Sequence, residues 1–340
     1  MTNQTSENGN NAPLARIIGT GTYLPENILS NFDLETLVET SDEWIFTRTG
    51  IKERRIGGPD EFASTMGAIA AQRAIENAKI MPEEIDLVIV ATMTPDYLTP
   101  STGALIQKEL KLTNVAAFDM QAACTGYVYG LSTAKAFIES KQAKCVLLVA
   151  TEKVSTFIDY KDRTTCILFG DGAAAAIITA KGAGLAIRHN CLGADGEQAD
   201  LLRIDGGGSR FPATEHSIKD RLHYLKMDGK ELFKHAVRRM ENAAKDCLDY
   251  LKMEEKDISW LIPHQANIRI IDAIAKRFSI PNEKIYTTIH KYGNTSASSV
   301  AIALDEFLKE NSVITGENLL LIAFGAGLTW GASVLTKIDS

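Results

Sequence analysis

The chain has 340 residues, 45% of them hydrophobic and 23% charged. That is the balance of an ordinary soluble globular protein, with apolar residues enough for a normal core and no dependence on disulfides or metals. A net charge of −7 argues against a chain-wide nucleic-acid surface, so no nucleic-acid partner is expected.

Residues 1–13 are polar and Asn-rich, without a basic start or an apolar run. They read as a disordered tail and not as a signal peptide. Ala15–Gly19 then reads as a strand and Ser64–Ile80 as an Ala-rich helix. Ile85–Ala91 (IDLVIVA) is apolar throughout, as a strand buried on both faces must be. Ser101–Leu110 reads as helix, Val115–Met120 as strand, Gly126–Ser140 as helix and Cys145–Ala150 as another buried strand. This alternation predicts an α/β protein with helices covering a mixed sheet. Gly19-Thr20-Gly21 and Gly206-Gly207-Gly208 read as loops. Neither has the context of a nucleotide-binding motif. No apolar stretch approaches 18 residues, so no membrane span is expected.

The second half echoes the first. A long helix, an acidic turn and an apolar strand recur at Met81–Thr92 and at Met253–Gln265. A small polar cluster opens a helix in Asp119–Ser140 and again in His290–Glu310. VLLVA at Val146–Ala150 matches LLLIA at Leu319–Ala323, and Phe-Gly-x-Gly occurs at Phe169–Gly172 and Phe324–Gly327. The pattern predicts two pseudo-symmetric βα halves, 14–184 and 185–340. It aligns Cys124 with Asn294, each at a helix start near the centre of the molecule.

The five cysteines, Cys124, Cys145, Cys166, Cys191 and Cys247, are odd in number and lack CxxC spacing. A zinc site or disulfide framework is therefore not expected, and free thiols suit a reducing cytoplasm. Cys124 lies in AACTGYVYG, where a following helix start would favour the thiolate and lower its pKa. His264 lies in LIPHQAN, after an apolar strand. A helix N-terminus there would keep its imidazole neutral, able to donate to developing negative charge. Asn294, in KYGNTSASS, carries an amide able to donate to an oxyanion. Singly, each has an ordinary structural explanation: a small core residue, a helix-capping histidine and an N-cap. Together they suit decarboxylative carbon–carbon bond formation. A thiol carries the acyl group, and two neutral donors stabilise an enolate oxygen. A Cys-dependent hydrolase would need His264 as a general base with a carboxylate orienter. An inactive acyl-CoA-binding scaffold would form no covalent adduct.

AACTGYVYG, DRTTCILFGDGAAA, PHQANIRII, HKYGNTSASSVAIALDE and AFGAGLTWG, with SDEWIFTRTGIKERRI near the start, resemble the motif series of β-ketoacyl-acyl-carrier-protein synthases III. The resemblance runs in order from about Arg16 to Leu335. It implies a thiolase-like fold of five layers, αβαβα, a homodimer, and a Cys124–His264–Asn294 triad. It also implies acyl-CoA and malonyl-acyl-carrier protein as substrates, no metal and no cofactor. Trp44 and Arg163 resemble the pair that sandwiches the CoA adenine. Arg48 resembles a CoA phosphate contact, and Gly229 and Asn267 resemble pantetheine contacts. The thioester oxyanion hole is implied at the backbone N–H groups of Cys124 and Ala326. Relatives often have Gly where Ala326 stands, so that donor requires an ordinary φ there.

Carrier proteins are acidic. Docking is therefore expected on Gln265, Ala266, Asn267, Ile268 and Arg269, with Lys234, Lys276 and Arg277; Lys230 and Arg238 share the helical face of Lys234. Thr99, in YLTPS, falls where relatives that favour acetyl primers often carry a bulky aromatic gating the acyl pocket across the dimer interface. A smaller Thr99 gate predicts acceptance of longer primers. Cousins with the same triad, such as type III polyketide synthases or starter-transferring acyltransferases, share these features.

Overall fold

The computed structural model describes residues 13–339. The expected tail, residues 1–13, lies outside the described residues except for Pro13. The principal elements of the first half are β1 (Arg16–Tyr23), α1 (Asp42–Thr49), α2 (Ala63–Ala78), β2 (Leu87–Ala91), α3 (Thr102–Glu109), β3 (Ala116–Met120), α4 (Gly126–Glu139), β4 (Cys145–Glu152) and β5 (Gly172–Thr179). Those of the second are β6 (Gly184–Ala194), α5 (Gly229–Leu251), β7 (Trp260–Pro263), α6 (Ile268–Arg277), α7 (Ser298–Glu310), β8 (Asn318–Gly325) and β9 (Thr329–Ile338).

Nine strands hydrogen-bond in the order β7-β8-β9-β6-β1-β5-β4-β2-β3. The two halves meet at a short antiparallel seam, Arg16 opposite Ala186 and Ile17 opposite Leu185. On either side the pairing repeats. β4–β2 is parallel, as β8–β7 is, and β5 and β9 run antiparallel to their neighbours. β3 adds in parallel to β2, and a single parallel bridge from Leu261 to Ile285 holds the matching place beside β7. β2 and β4 are buried along their whole length, which accounts for their unbroken apolar sequences.

Alternation of side chains assigns the layers. Val88, Val90, Leu147 and Val149 pack against α2, whereas Ile89, Leu148 and Ala150 face α4 and α7. From the other half, Ile262, Leu319 and Leu321 face the same two helices, and Leu320, Ile322 and Val334 pack against α5. The order is α2, sheet, α4 with α7, sheet, α5: the thiolase-like five layers. Because α4 and α7 are covered on both sides, the segments opening them lie deep in the molecule.

Two readings need correction. Gly19-Thr20-Gly21 is not a loop but the middle of β1. A Cβ on Gly19 would lie 2.5 Å from Ala78 N, and one on Gly21 2.4 Å from Ala74 N, so glycine lets α2 sit directly on the strand. The repeat register is also shifted. Ala123 and Ser296 both adopt left-handed φ, +46° and +51°. Thr125 N donates to Ala122 O as Ser298 N does to Thr295 O. Cys124 thus corresponds to Ala297, and Asn294 lies three residues earlier in its own turn.

Candidate active site

Three strand ends deliver the site. Cys124 follows β3 in a tight turn, Ala123–Thr125, that leads straight into α4. His264 follows β7, and its backbone N–H donates to Ile322 O in the adjacent strand. Asn294 follows the Ile285 bridge and is pinned between Leu168 O and Gly170 N. All three are buried, and all three line one cavity of about 650 Å³ including its mouth. Gly229, Ala266, Asn267 and Phe324 share its wall, which contains no Lys, Arg, Asp or Glu. A second cavity, of about 890 Å³ including its open mouth, also reaches Cys124, past Met93, Ala326 and Leu225.

Hydrogen bonds orient the two donors. Asn294 Oδ1 accepts from Ser296 N at 2.8 Å, which fixes the amide and leaves Nδ2 as its donor. His264 Nδ1 lies 2.5 Å from Ser299 Oγ, whose oxygen is also within 3.4 Å of Gln265 N. With the hydroxyl accepting from Gln265 and donating to Nδ1, the imidazole proton resides on Nε2. Burial holds this imidazole neutral, its pKa lowered to about 3.

The thiol departs from expectation. Burial raises Cys124 to about 12, and nearby Glu152 adds to the rise, against the opposing influence of Ser296 and the Cys124 backbone. An uncharged cavity wall gives a thiolate little solvation, so the helix start does not produce a resting thiolate.

The turns that carry the Cys124 and Ala326 N–H groups pack closely. A Cβ on Gly325 would come within 2.7 Å of Cys124 N, so only glycine permits the turn after β8 to back onto the cysteine. Ala326 keeps an ordinary negative φ, satisfying the condition for an L-residue there. Thr329 Oγ1 lies 2.9 Å from Ala122 O and 3.0 Å from Ala326 O, tying the two turns together.

Two buried groups titrate in opposition. His264 binds its proton near 6.5 unfolded and near 3 folded, so its contribution falls as pH drops through that window. Burial raises Glu152 from 4.5 to about 7, so its contribution grows as pH drops from 7 to 4.5. The two cancel from 4.5 to 6.5. Urea unfolding of Glu152→Gln across this window should reveal the His264 slope, a loss relative to wild type of about 1.4 kcal/mol per pH unit.

Two family profiles match the chain. One, described as 3-oxoacyl-acyl-carrier-protein synthase III, covers residues 118–196, and its C-terminal counterpart covers 248–337. The β-ketoacyl-acyl-carrier-protein synthase III of Chlamydia trachomatis serovar D is 55% identical over 325 residues, 95% of this chain and 99% of the relative. The chain belongs to the β-ketoacyl-acyl-carrier-protein synthase III family. It is accordingly a condensing acyltransferase of thiolase fold. The crystal structure of the Aquifex aeolicus 3-oxoacyl-acyl-carrier-protein synthase III matches with a TM-score of 0.88 at 47% identity, covering 95% of this chain and 99% of that one. The Thermus thermophilus β-ketoacyl-acyl-carrier-protein synthase III matches with a TM-score of 0.88 at 40% identity, covering 96% and 100%.

In this synthase III, Trp44 is half-buried on α1, with Arg48 4.4 Å and Arg163 5.0 Å from its ring centre. A flat guest between Trp44 and Arg163 needs them about 7 Å apart, two van der Waals contacts. The two residues expected to sandwich an adenine are thus in direct contact with each other, and Arg163 also donates to Glu39 O at 2.8 Å. Asn267 caps α6, its side chain accepting from Arg269 N.

The docking set divides. Arg269, Lys234, Lys276 and Arg277 are exposed, although Lys234 pairs with Glu231 and Arg277 with Glu241. Gln265 is withdrawn from it. Its amide is buried, with Nε2 donating to Pro263 O and Oε1 accepting from Thr288 and Ile289 N–H, so it braces the His264 loop. Ile268 packs inward against Gly50. Thr99 is exposed beside Tyr97 and Leu98 and reaches neither cavity within one chain.

The sequence reading passed over Ser299, Ser296 and Glu152. The SASS run served there only as a helix opening, and Glu152 followed a buried strand without a local motif. Among the described residues no group of three or more His, Cys, Asp or Glu side chains is placed to hold a metal, and no helix is long and apolar enough to cross a membrane.

Proposed function

We infer that the protein condenses an acyl-CoA primer with malonyl-acyl-carrier protein, giving a β-ketoacyl-carrier protein, carbon dioxide and free CoA, the step that starts a fatty acid. The observation that carries this is the convergence of one thiol and two neutral N–H donors on a single uncharged cavity. Cys124 attacks the primer thioester and becomes acylated. The carbonyl oxygen is held by the N–H groups of Cys124 and Ala326. CoA leaves along the wall formed by Gly229 and Asn267, with Trp44, Arg48 and Arg163 at its nucleotide end. Malonyl-carrier protein then enters. His264 Nε2–H and Asn294 Nδ2–H hold the thioester oxygen while carbon dioxide departs, and the enolate carbon attacks acyl-Cys124. Collapse of that adduct returns the Cys124 sulfur.

A general-base hydrolase is disfavoured, because Nδ1 of His264 meets a serine hydroxyl rather than a carboxylate. An exposed loop bearing Leu98, 90% exposed, supports a homodimer in which Thr99 reaches the partner's acyl pocket. The basic groups at Arg269, Lys276, Arg277 and Lys234 suit an acidic carrier, docking beside Ala266 and Asn267. We place the chain in the cytoplasm, assign no cofactor beyond CoA as substrate, and divide it at 184/185.

The test is product formation. Acetyl- to octanoyl-CoA with malonyl-carrier protein should each give a single condensation on the carrier, with specificity constants that do not collapse beyond acetyl. Repeated condensation on CoA, or acyl transfer to oxygen or nitrogen, would point to a superfamily cousin instead. A steep fall beyond acetyl would remove the small-gate reading of Thr99.

A further inference from the structure

Asn294 reaches the cavity from a turn whose main chain is firmly held. Its N–H donates to Leu168 O at 2.9 Å, and its carbonyl accepts from Gly170 N at 3.0 Å. Its side-chain Oδ1 accepts from Ser296 N at 2.8 Å. The aim of Nδ2 therefore depends on where Ser296 presents its N–H. Ser296 is buried and left-handed, with φ +51°, a conformation uncommon for a residue with a Cβ.

A tie for this turn comes from the other half of the molecule. Ser296 Oγ donates to Glu152 Oε1 at 3.0 Å, 144 residues away in sequence. Glu152 ends β4, is fully buried, and is itself fixed. Thr94 Oγ1 donates to its Oε2 at 2.7 Å, Met93 N at 3.1 Å and Thr92 Oγ1 at 3.3 Å. A buried carboxyl gripped by several donors is a rigid acceptor, because its partners form one mutually strengthened network.

The first half supplies a comparison. Ala123, the left-handed residue of the Cys124 turn, has no hydroxyl. That turn is tied by Thr329, whose Oγ1 lies 2.9 Å from Ala122 O. A left-handed turn at this place thus forms without serine. The Ser296 hydroxyl supplies in the second half the tie that Thr329 supplies in the first.

We propose that Glu152, through the Ser296 hydroxyl, aims the Asn294 amide at the malonyl thioester. The inference rests on Asn294 holding the thioester oxygen as carbon dioxide leaves. Glu152 and Ser296 are positioning residues, since neither lines the cavity that Cys124, His264 and Asn294 share. The N–H groups assigned to the primer carbonyl, those of Cys124 and Ala326, sit on the turns tied by Thr329. Loosening Ser296 therefore acts on the malonyl half-reaction.

The experiment compares Ser296→Ala, Glu152→Ala and Glu152→Gln with wild type, and repeats Ser296→Ala on an Asn294→Ala background. It measures carbon dioxide release from malonyl-carrier protein and single-turnover acylation of Cys124 by acetyl-CoA, the latter by intact mass. Ser296→Ala should lower kcat for carbon dioxide release roughly tenfold or more, the scale of a small misplacement, while KM for malonyl-carrier protein and the acylation rate change less than about threefold. Glu152→Ala should match it. Glu152→Gln, whose amide can still bond the Ser296 hydroxyl, should lose less. On Asn294→Ala, the Ser296→Ala change should cost no more than about twofold, because a residue that acts only through Asn294 has nothing left to aim. Thermal unfolding checks that each variant folds, and Ser296→Ala alone decides if Glu152→Ala does not. An undiminished rate in folded Ser296→Ala, or the same loss with and without Asn294, would overturn the positioning and leave the functional reading standing. Wild-type carbon dioxide release by Asn294→Ala would instead overturn the role given to Asn294. A crystal structure of Ser296→Ala then decides the tie: Asn294 Oδ1 released from the N–H at position 296 upholds it, and an unchanged 2.8 Å bond overturns it.

Discussion

Incubation with acetyl-CoA should add one acetyl mass to the wild-type chain, peptide mapping should put it on Cys124, and Cys124→Ala should take up none. The reasons are geometric. Cys124 is the thiol that opens onto both cavities, whereas the other four cysteines line neither. Its backbone N–H sits against Gly325, where a single methyl would approach to 2.7 Å. Condensation by Cys124→Ala should fall by at least about a thousandfold, since loss of a covalent nucleophile removes a whole reaction path and leaves only binding and oxyanion stabilisation. An acetyl group on Cys145, Cys166, Cys191 or Cys247, or persistent adduct formation by Cys124→Ala, would refute the assignment.

The second large effect separates the half-reactions. His264→Ala and Asn294→Ala should each lower condensation by roughly 10²–10³-fold, the usual loss for one oxyanion donor, while changing acylation of Cys124 far less. The split follows from where the donors point. Ser299 and Ser296 occupy the inner atoms of the two side chains, so Nε2 and Nδ2 are the atoms presented to the cavity. In the proposed reaction neither donates to the primer carbonyl, which is assigned to the Cys124 and Ala326 N–H groups. Release of carbon dioxide from malonyl-carrier protein should fall in parallel with condensation. Equal loss in acylation and condensation would mean that His264 serves the thiol rather than the enolate.

Much of the fold was legible because local physics dictated it. LVIVA and VLLVA have no polar face, so they had to be strands covered on both sides, and the echo of their surroundings exposed the repeat. Where sequence reading slipped, a distant partner decided. Gly19 and Gly21 look like loop residues until α2 is laid on β1. Gln265 looks like a surface polar residue until the Thr288–Ile289 N–H groups arrive to bind it.

Sequence alone determined the α/β class and the family motifs, and it pointed to two halves and to the trio of Cys, His and Asn, because each is written in nearby residues or in their order. Tertiary structure decided the protonation states and the supporting residues. Burial, a property of the whole molecule, raised the thiol and lowered the imidazole. Ser299 lies 35 residues from His264, and Ser296 lies 144 from Glu152. No local pattern records such pairs, since only packing of α7 and the turn before it against the ends of β7 and β4 brings them into contact.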